Sequence, residues 1–338
     1  ATAPAPVATR PKKKPSLVKL AKENDIAGVD ELLRSGCDLE ALGMWDNTPL
    51  LIACSYGHSE VALKLISAKA NVCARNEHEA TPLHYAAVEG SLMVVEALLS
   101  AARAPGGEEA CQKLVNCGAA KVYNRHLDSY AKRTPLCSAA EGGFADVAAV
   151  LMAAGAPVDE ASEGEKTALW LACRHSRVAA AKLLLQGGAD ANVKDAAGVS
   201  VLGAATTECN EELVTALLTH GVRDVNDTEG SPLRDAVKRS KRGVAEMLLT
   251  HGAAAQTQDI PAPLHAACAK GDEHLVQLLV RARADPNFRD ARGHTALEIL
   301  TRSGVADERA AALLSPPADV QGSSGGTGET GAAEEEAE

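Results

Sequence analysis

Apolar residues recur along this chain in a cycle that restarts at a short signature. Thr48-Pro49-Leu50, Thr81-Pro82-Leu83, Thr134-Pro135-Leu136, Thr167-Ala168-Leu169 and Ser200-Val201-Leu202 mark five starts. Ser231-Pro232-Leu233, Ala262-Pro263-Leu264 and Thr295-Ala296-Leu297 follow. The starts lie 33, 53, 33, 33, 31, 31 and 33 residues apart, and Pro15-Ser16-Leu17 sits 33 before the first as a degenerate ninth copy. Each start has the chemistry of a helix N-terminus. Thr or Ser caps the first free N–H groups, and Pro next to it loses nothing by lacking one. Small residues follow, as at Ala86-Ala87 and Ala266-Ala267, so a short first helix can approach its neighbours closely. A turn at Gly57, Gly90, Gly142-Gly143 or Gly271 leads to a second helix. That helix has an apolar face, such as Val94, Val95, Leu98 and Leu99, or Leu275, Leu278 and Leu279. It ends at a Gly such as Gly36, Gly155, Gly188, Gly221 or Gly252. Helices are expected to begin within two residues of positions 48, 81, 134, 167, 200, 231, 262 and 295.

A 33-residue period that opens on Thr-Pro-Leu, with His84 and His265 in the following position, resembles the ankyrin repeat. The resemblance covers residues 15–314. It implies an all-α fold, an ankyrin-repeat solenoid of about nine repeats with β-turn fingers between helix pairs. One such unit cannot bury its own apolar face, so the units must stack. Leu17 to Leu33 and Leu297 to Leu314 are the expected caps. The 53-residue gap holds about 20 extra residues, placed at about 102–121. Pro105-Gly106-Gly107 opens a loop there, and Glu108 to Asn116 has helical character with Ala110, Leu114 and Val115 on its apolar side. This insertion is expected to project from an intact stack. The two 31-residue gaps shorten the fingers before Ser231 and Ala262.

Charge separates the ends from the middle. Residues 1–14 are Pro/Ala-rich and carry Arg10, Lys12, Lys13 and Lys14. Residues 315–338 are Gly/Ser-rich and hold six acids and no base. Neither stretch has the apolar residues to offset its ordering entropy, so disordered tails are expected. The whole chain has 338 residues and a formal charge of −11, which argues against a general nucleic-acid binder. Only eight residues are aromatic, too few for a base-stacking platform. No apolar run is long enough to cross a membrane, and residues 1–15 lack the apolar stretch of a secretory signal. Nine cysteines at irregular spacing favour a reducing compartment, so a cytoplasmic location is expected, with nuclear or cytoskeletal and ciliary placement as alternatives.

Chemistry is scarce. No phosphate loop, nucleophile elbow, HExxH or CxxC occurs, so no enzyme activity, cofactor or metal is expected. Cys111 and Cys117, with His126 nearby, have poor ligand spacing. Cys54, Cys173 and Cys268 occupy a slot that wants a small buried residue. Cys137 stands at the His position and Cys209 at the Gly-turn position.

Binding is expected where ankyrin arrays expose residues on their concave face. The repeat phase places these slots one, three and four residues before the Thr position, and seven and eight after it. In the first full copy they include Met44, Trp45, Ser55 and Tyr56, and Tyr130 occupies a finger position further on. Large apolar side chains in exposed slots point to a contact site. Later helix ends hold Arg174 and His175, then Lys238 and Arg239 with Lys241 and Arg242, then Lys270, then Arg302. Such a basic row could hold an acidic protein segment. The expected partners are one or more proteins, with no nucleic acid and no membrane insertion. A scaffold or adaptor is the leading reading. A fixed component of a cytoskeletal or ciliary assembly, and a non-catalytic targeting subunit of an enzyme complex, are the alternatives.

Overall fold

All eight signatures stand at the head of a helix. A computed structural model describes residues 16–124, 129–208, 210–223, 225–226, 232–255, 262–290, 292–303 and 308–314. Both expected tails, His126, Cys209, Ser231 and most of the finger before Ala262 lie outside the described residues. The elements run in pairs: α1 (Leu17–Glu23), α2 (Ile26–Arg34), α3 (Pro49–Ser55), α4 (Ser59–Ser67), α5 (Pro82–Val88) and α6 (Leu92–Val115). A hairpin of β1 (Ala120–Asn124) and β2 (Ser129–Arg133) follows. Then come α7 (Pro135–Gly142), α8 (Ala145–Ala153), α9 (Ala168–Arg174), α10 (Val178–Gln186), α11 (Val201–Glu208) and α12 (Glu211–Thr219). The last six are α13 (Pro232–Lys238), α14 (Arg242–Thr250), α15 (Pro263–Lys270), α16 (Glu273–Arg281), α17 (Ala296–Arg302) and α18 (Glu308–Leu314). The chain divides after Ala254 into two compact units.

The capping chemistry is realised atom by atom. Thr48, Thr134 and Thr167 accept from the N–H groups of Leu51, Cys137 and Trp170 at 3.3, 3.1 and 3.3 Å, and Ser200 accepts from Gly203 at 3.0 Å. These hydroxyls are buried, so the bonds offset desolvation that would otherwise cost stability. Ser16 caps α1 in the same way, which makes the degenerate ninth copy a true helix start. Gly143 then closes α7 in the left-handed region at φ 85°, where a side chain would be strained.

In the first unit the first helices α1, α3, α5, α7, α9, α11 and α13 pack each on the next. The second helices α2, α4, α6, α8, α10, α12 and α14 do the same. Leu50, Leu83, Leu98, Leu151, Leu169 and Leu184 are fully buried, interleaved with Ala53, Ala87, Ala139, Ala172 and Ala205. The core is mostly Leu, Ala and Val at close range, as the shortage of aromatics requires. In the second unit α15 packs on α16 and α17, and α16 on α18. The fingers of the first unit are tied by main-chain bonds: Glu77 N–H to Trp45 O (3.1 Å), Lys121 N–H to His78 O (3.3 Å), Glu163 N–H to Lys132 O (3.1 Å) and Ala196 N–H to Gly164 O (2.9 Å).

The extra residues are helical in part, but they do not project from the stack as the expected Ω-like loop or short helix. The helix α6 continues through them for 24 residues in all, broken only where Gly107 takes φ 66°. Its second half buries Cys111, Leu114 and Val115, an i, i+3, i+4 stripe, while Ala110 is only half-buried. The strands β1 and β2 then pair antiparallel, with Tyr123 opposite Tyr130. Val122 is buried while its neighbours Lys121 and Tyr123 turn the other way, the period-two alternation of a strand. β1 packs on α5 and β2 on α7, so the insertion is part of the body of the first unit.

Candidate functional site

A groove of about 590 Å³ opens on the finger side of α1, α3 and α5. Met44 and Trp45 stand in the 3-10 turn just before Thr48, and Tyr56 caps the far end of α3. Tyr130 comes from β2. These four are among the few large apolar side chains exposed in the described residues, at 72, 53, 40 and 59%. The fold brings all four to the one groove. Val18, Ile52, Tyr85 and His78 line it too, as does Tyr123, whose ring centroid lies 4.8 Å from that of Tyr130. The Trp45 ring lies 6.2 Å from that of His78.

The groove is held by a small polar clamp. Buried Asn76 donates to Asn47 Oδ1 (2.9 Å) and to the Tyr85 hydroxyl (3.1 Å). Its own carbonyl oxygen accepts from the N–H groups of His78 and Ala80, at 3.0 and 2.9 Å. One side chain therefore fixes two successive fingers and a ring of the groove floor. Burial raises the Tyr85 hydroxyl above the usual phenol range, against the opposing bond from Asn76. Behind the groove, His84 Nε2 donates to Gly118 O at 2.9 Å, and its Nδ1 accepts from Thr81 N–H at 3.2 Å. Those bonds fix the tautomer and anchor the start of the hairpin. Burial pushes His84 down to about 4, so the ring is neutral.

The basic residues fare differently. Arg174 pairs with Glu208 at 3.2 Å. His175 lies 3.6 Å from Glu141, which Arg133 also grips at 3.1 Å. Burial pushes the Glu141 carboxyl up, but His175 and Arg133 outweigh it and hold the group below its ordinary range. Lys238 and Arg239 end α13, and Lys241 and Arg242 follow at the turn into α14, all exposed. Lys238, Arg239 and Lys241 make no side-chain ion pair among the described residues. In the second unit Lys270 is exposed at the end of α15, and Arg302 contacts His294 Nε2.

Several cysteines are sealed in the core. Burial pushes the thiols of Cys54, Cys173 and Cys268 up to about 12, where they stay protonated and act as small apolar groups. Cys137 is fully buried at the His position, donating to Glu160 O at 3.6 Å. Among the described residues no three His, Cys, Asp or Glu side chains gather as metal ligands. No described helix is long and apolar enough to cross a membrane.

Fold and groove together define an ankyrin-repeat array, a class of protein-interaction modules. The family model "Ankyrin repeats (3 copies)" matches residues 17–106, 98–195 and 182–259, and the single "Ankyrin repeat" model matches 262–291. The chain belongs to the ankyrin-repeat family. It is 29% identical to the B-cell lymphoma 3 protein homolog of Mus musculus over 236 residues, 67% of this chain and 49% of that protein. It is 30% identical to the B-cell lymphoma 3 protein of Homo sapiens over 237 residues, 67% of this chain and 48% of that one. The chain thus spans about half the length of these relatives. The crystal structure of the ankyrin repeat domain of Bcl-3, described as a unique member of the IκB protein family, superposes with a TM-score of 0.53. That match has 29% identity and covers 70% of this chain and 98% of that domain.

Proposed function

We propose that this protein is a protein–protein interaction scaffold or adaptor, and that a partner protein docks in the aromatic groove of the first unit. It acts by binding, with no chemistry of its own. The observation that carries the reading is the gathering of Met44, Trp45, Tyr56 and Tyr130, all exposed, around one groove. Exposed aromatics held by a rigid frame are the usual anchors of an interface. The exposed bases Lys238, Arg239, Lys241 and Arg242 act in this reading as a steering patch for an acidic stretch of the partner. Family membership and the likeness to the Bcl-3 ankyrin domain support an interaction role.

A photo-reactive amino acid placed in turn at positions 45, 130 and 238 tests this in cells. Proteins cross-linked from 45 and 130 should coincide and outnumber those from 238. Cross-links that form at 238 and never at 45 or 130 would move the interface off the groove.

A further inference from the structure

The chain has eight aromatic residues, and five of them line one groove. Tyr56, Tyr85, Tyr123 and Tyr130 are all of its tyrosines, and Trp45 is one of its two tryptophans. Core packing elsewhere is carried mainly by Leu, Ala and Val, with Trp170 as a buried aromatic outside the groove, so this concentration is not needed to fill the interior. Tyr123 comes from β1, outside the repeated unit, and pairs across the hairpin with the finger residue Tyr130, so the repeat alone would leave part of that wall missing. Trp45 adopts the left-handed region, φ 57° and ψ 34°, a costly conformation for a bulky residue. The indole stands at the groove rim, half exposed.

Charge narrows the occupant. Among the described residues the lining includes Lys19 and Lys22 and no Asp or Glu. Lys22 Nζ stands 5.8 Å from the Tyr56 ring centroid, and Lys121 Nζ 5.8 Å from that of Tyr130. Lys19 shares its charge with Glu23 at 3.6 Å, on an exposed pair, while Lys22 has no ion pair among the described residues. On a chain of net charge −11 this is a local reversal of sign. Ring faces attract cations, but the ammonium groups already over Tyr56 and Tyr130 would repel a cationic guest. They would welcome a carboxylate. A basic segment, such as the chain's own Arg10 to Lys14, is disfavoured as the occupant by the same charges.

We infer that the groove is a receptor for a short extended peptide whose apolar side chain enters between the rings while a neighbouring Asp or Glu meets Lys22. This inference rests on the docking reading above and specifies the chemistry of the partner. The volume suits it, since pockets of about 300–1,000 Å³ enclose a ligand of a few side chains.

The test selects a random peptide display library on the full chain, then synthesises the enriched sequences. Enriched peptides should place an apolar or aromatic residue close to Asp or Glu. They should bind the wild-type chain by calorimetry and shift the emission of Trp45, read in a Trp170→Phe background that leaves it the single tryptophan. Lys22→Glu should weaken binding by about tenfold or more, and Tyr123→Ala should do likewise, with unchanged circular dichroism. Enrichment of basic or methylated-lysine peptides, or equal affinity for Lys22→Glu, overturns the inference. So does the absence of any peptide that binds at Trp45. A partner that cross-links from position 45 yet presents no acidic-apolar segment removes this inference and leaves the docking reading standing. Loss of all cross-links at 45 removes both.

Discussion

Met44, Trp45, Tyr56 and Tyr130 converge on one groove, whereas Arg174 and His175, chosen by the same repeat phase, are taken up by Glu208 and Glu141. Lys238, Arg239 and Lys241 stay on an open turn of the same unit. Phase fixes how exposed a slot is, because it fixes where the slot sits on its helix pair. The neighbours of that slot are set by other repeats and, at the groove, by residues that belong to no repeat.

The hairpin is what most separates the two regions, so its support should carry the largest effect. Leu114 is fully buried in the second half of α6. Leu114→Ala should cost about 2–5 kcal/mol in chemical denaturation. A loss under about 0.5 kcal/mol would match an exposed site and return the insertion to a dispensable projection.

A pH experiment probes the same support. The folded chain keeps His84 neutral down to about pH 4, chiefly through burial, whereas the unfolded chain takes up a proton near 6.5. The unfolded state then binds more protons, so this contribution is whole above pH 6.5 and is lost as pH falls toward 4. The loss should reach about 3 kcal/mol, and the slope of unfolding free energy against pH should flatten in His84→Gln. Equal slopes for both chains would show that His84 is not held neutral.

A smaller contrast sets this anchor against its counterpart in the second unit. At Thr81, hydroxyl and backbone N–H both reach His84 Nδ1, at 2.9 and 3.2 Å. At the equivalent place Ala262 has no hydroxyl, and buried Nδ1 of His265 has no hydrogen-bond partner among the described residues. His265 keeps only its other nitrogen engaged, donating to Phe288 O at 3.1 Å and His294 O at 3.2 Å. Ala262→Thr should supply both the cap and the missing partner and raise stability by about 1 kcal/mol in thermal denaturation. No gain would mean the buried nitrogen is satisfied in some other way.

Most of the fold was legible because its signals are local. Thr48, Thr134 and Thr167 cap the helices that follow them, and Ser16 does so even in a degenerate copy. The helix from Glu108 was readable too. The hairpin was not, although the alternation across Lys121, Val122 and Tyr123 and the β-propensity of Val and Tyr were there to find. A repeat template treats such residues as a gap, and their pairing depends on partners across a turn. The site was half legible for the same reason. Trp45 and Tyr56 follow from phase, as does His78 in the slot three before Thr81, but Tyr123 enters only through the hairpin and Tyr85 lies outside the exposed slots. That Arg174 and His175 would be neutralised depended on Glu208 and Glu141 in other repeats, 34 positions away each, just beyond one period.

The central claim is that partner binding is anchored by the aromatic groove and only steered by the basic turn. The direct measurement is the affinity and kinetics of a partner trapped from position 45, at low and high salt, for three chains. Trp45→Ala should weaken binding by about 2 kcal/mol at either salt, through faster dissociation. The pair Lys238→Glu and Arg239→Glu should change affinity by about 0–1 kcal/mol per site, through slower association that salt erases. Wild-type affinity in Trp45→Ala, or a salt-independent loss in the reversed pair larger than that in Trp45→Ala, would contradict the account.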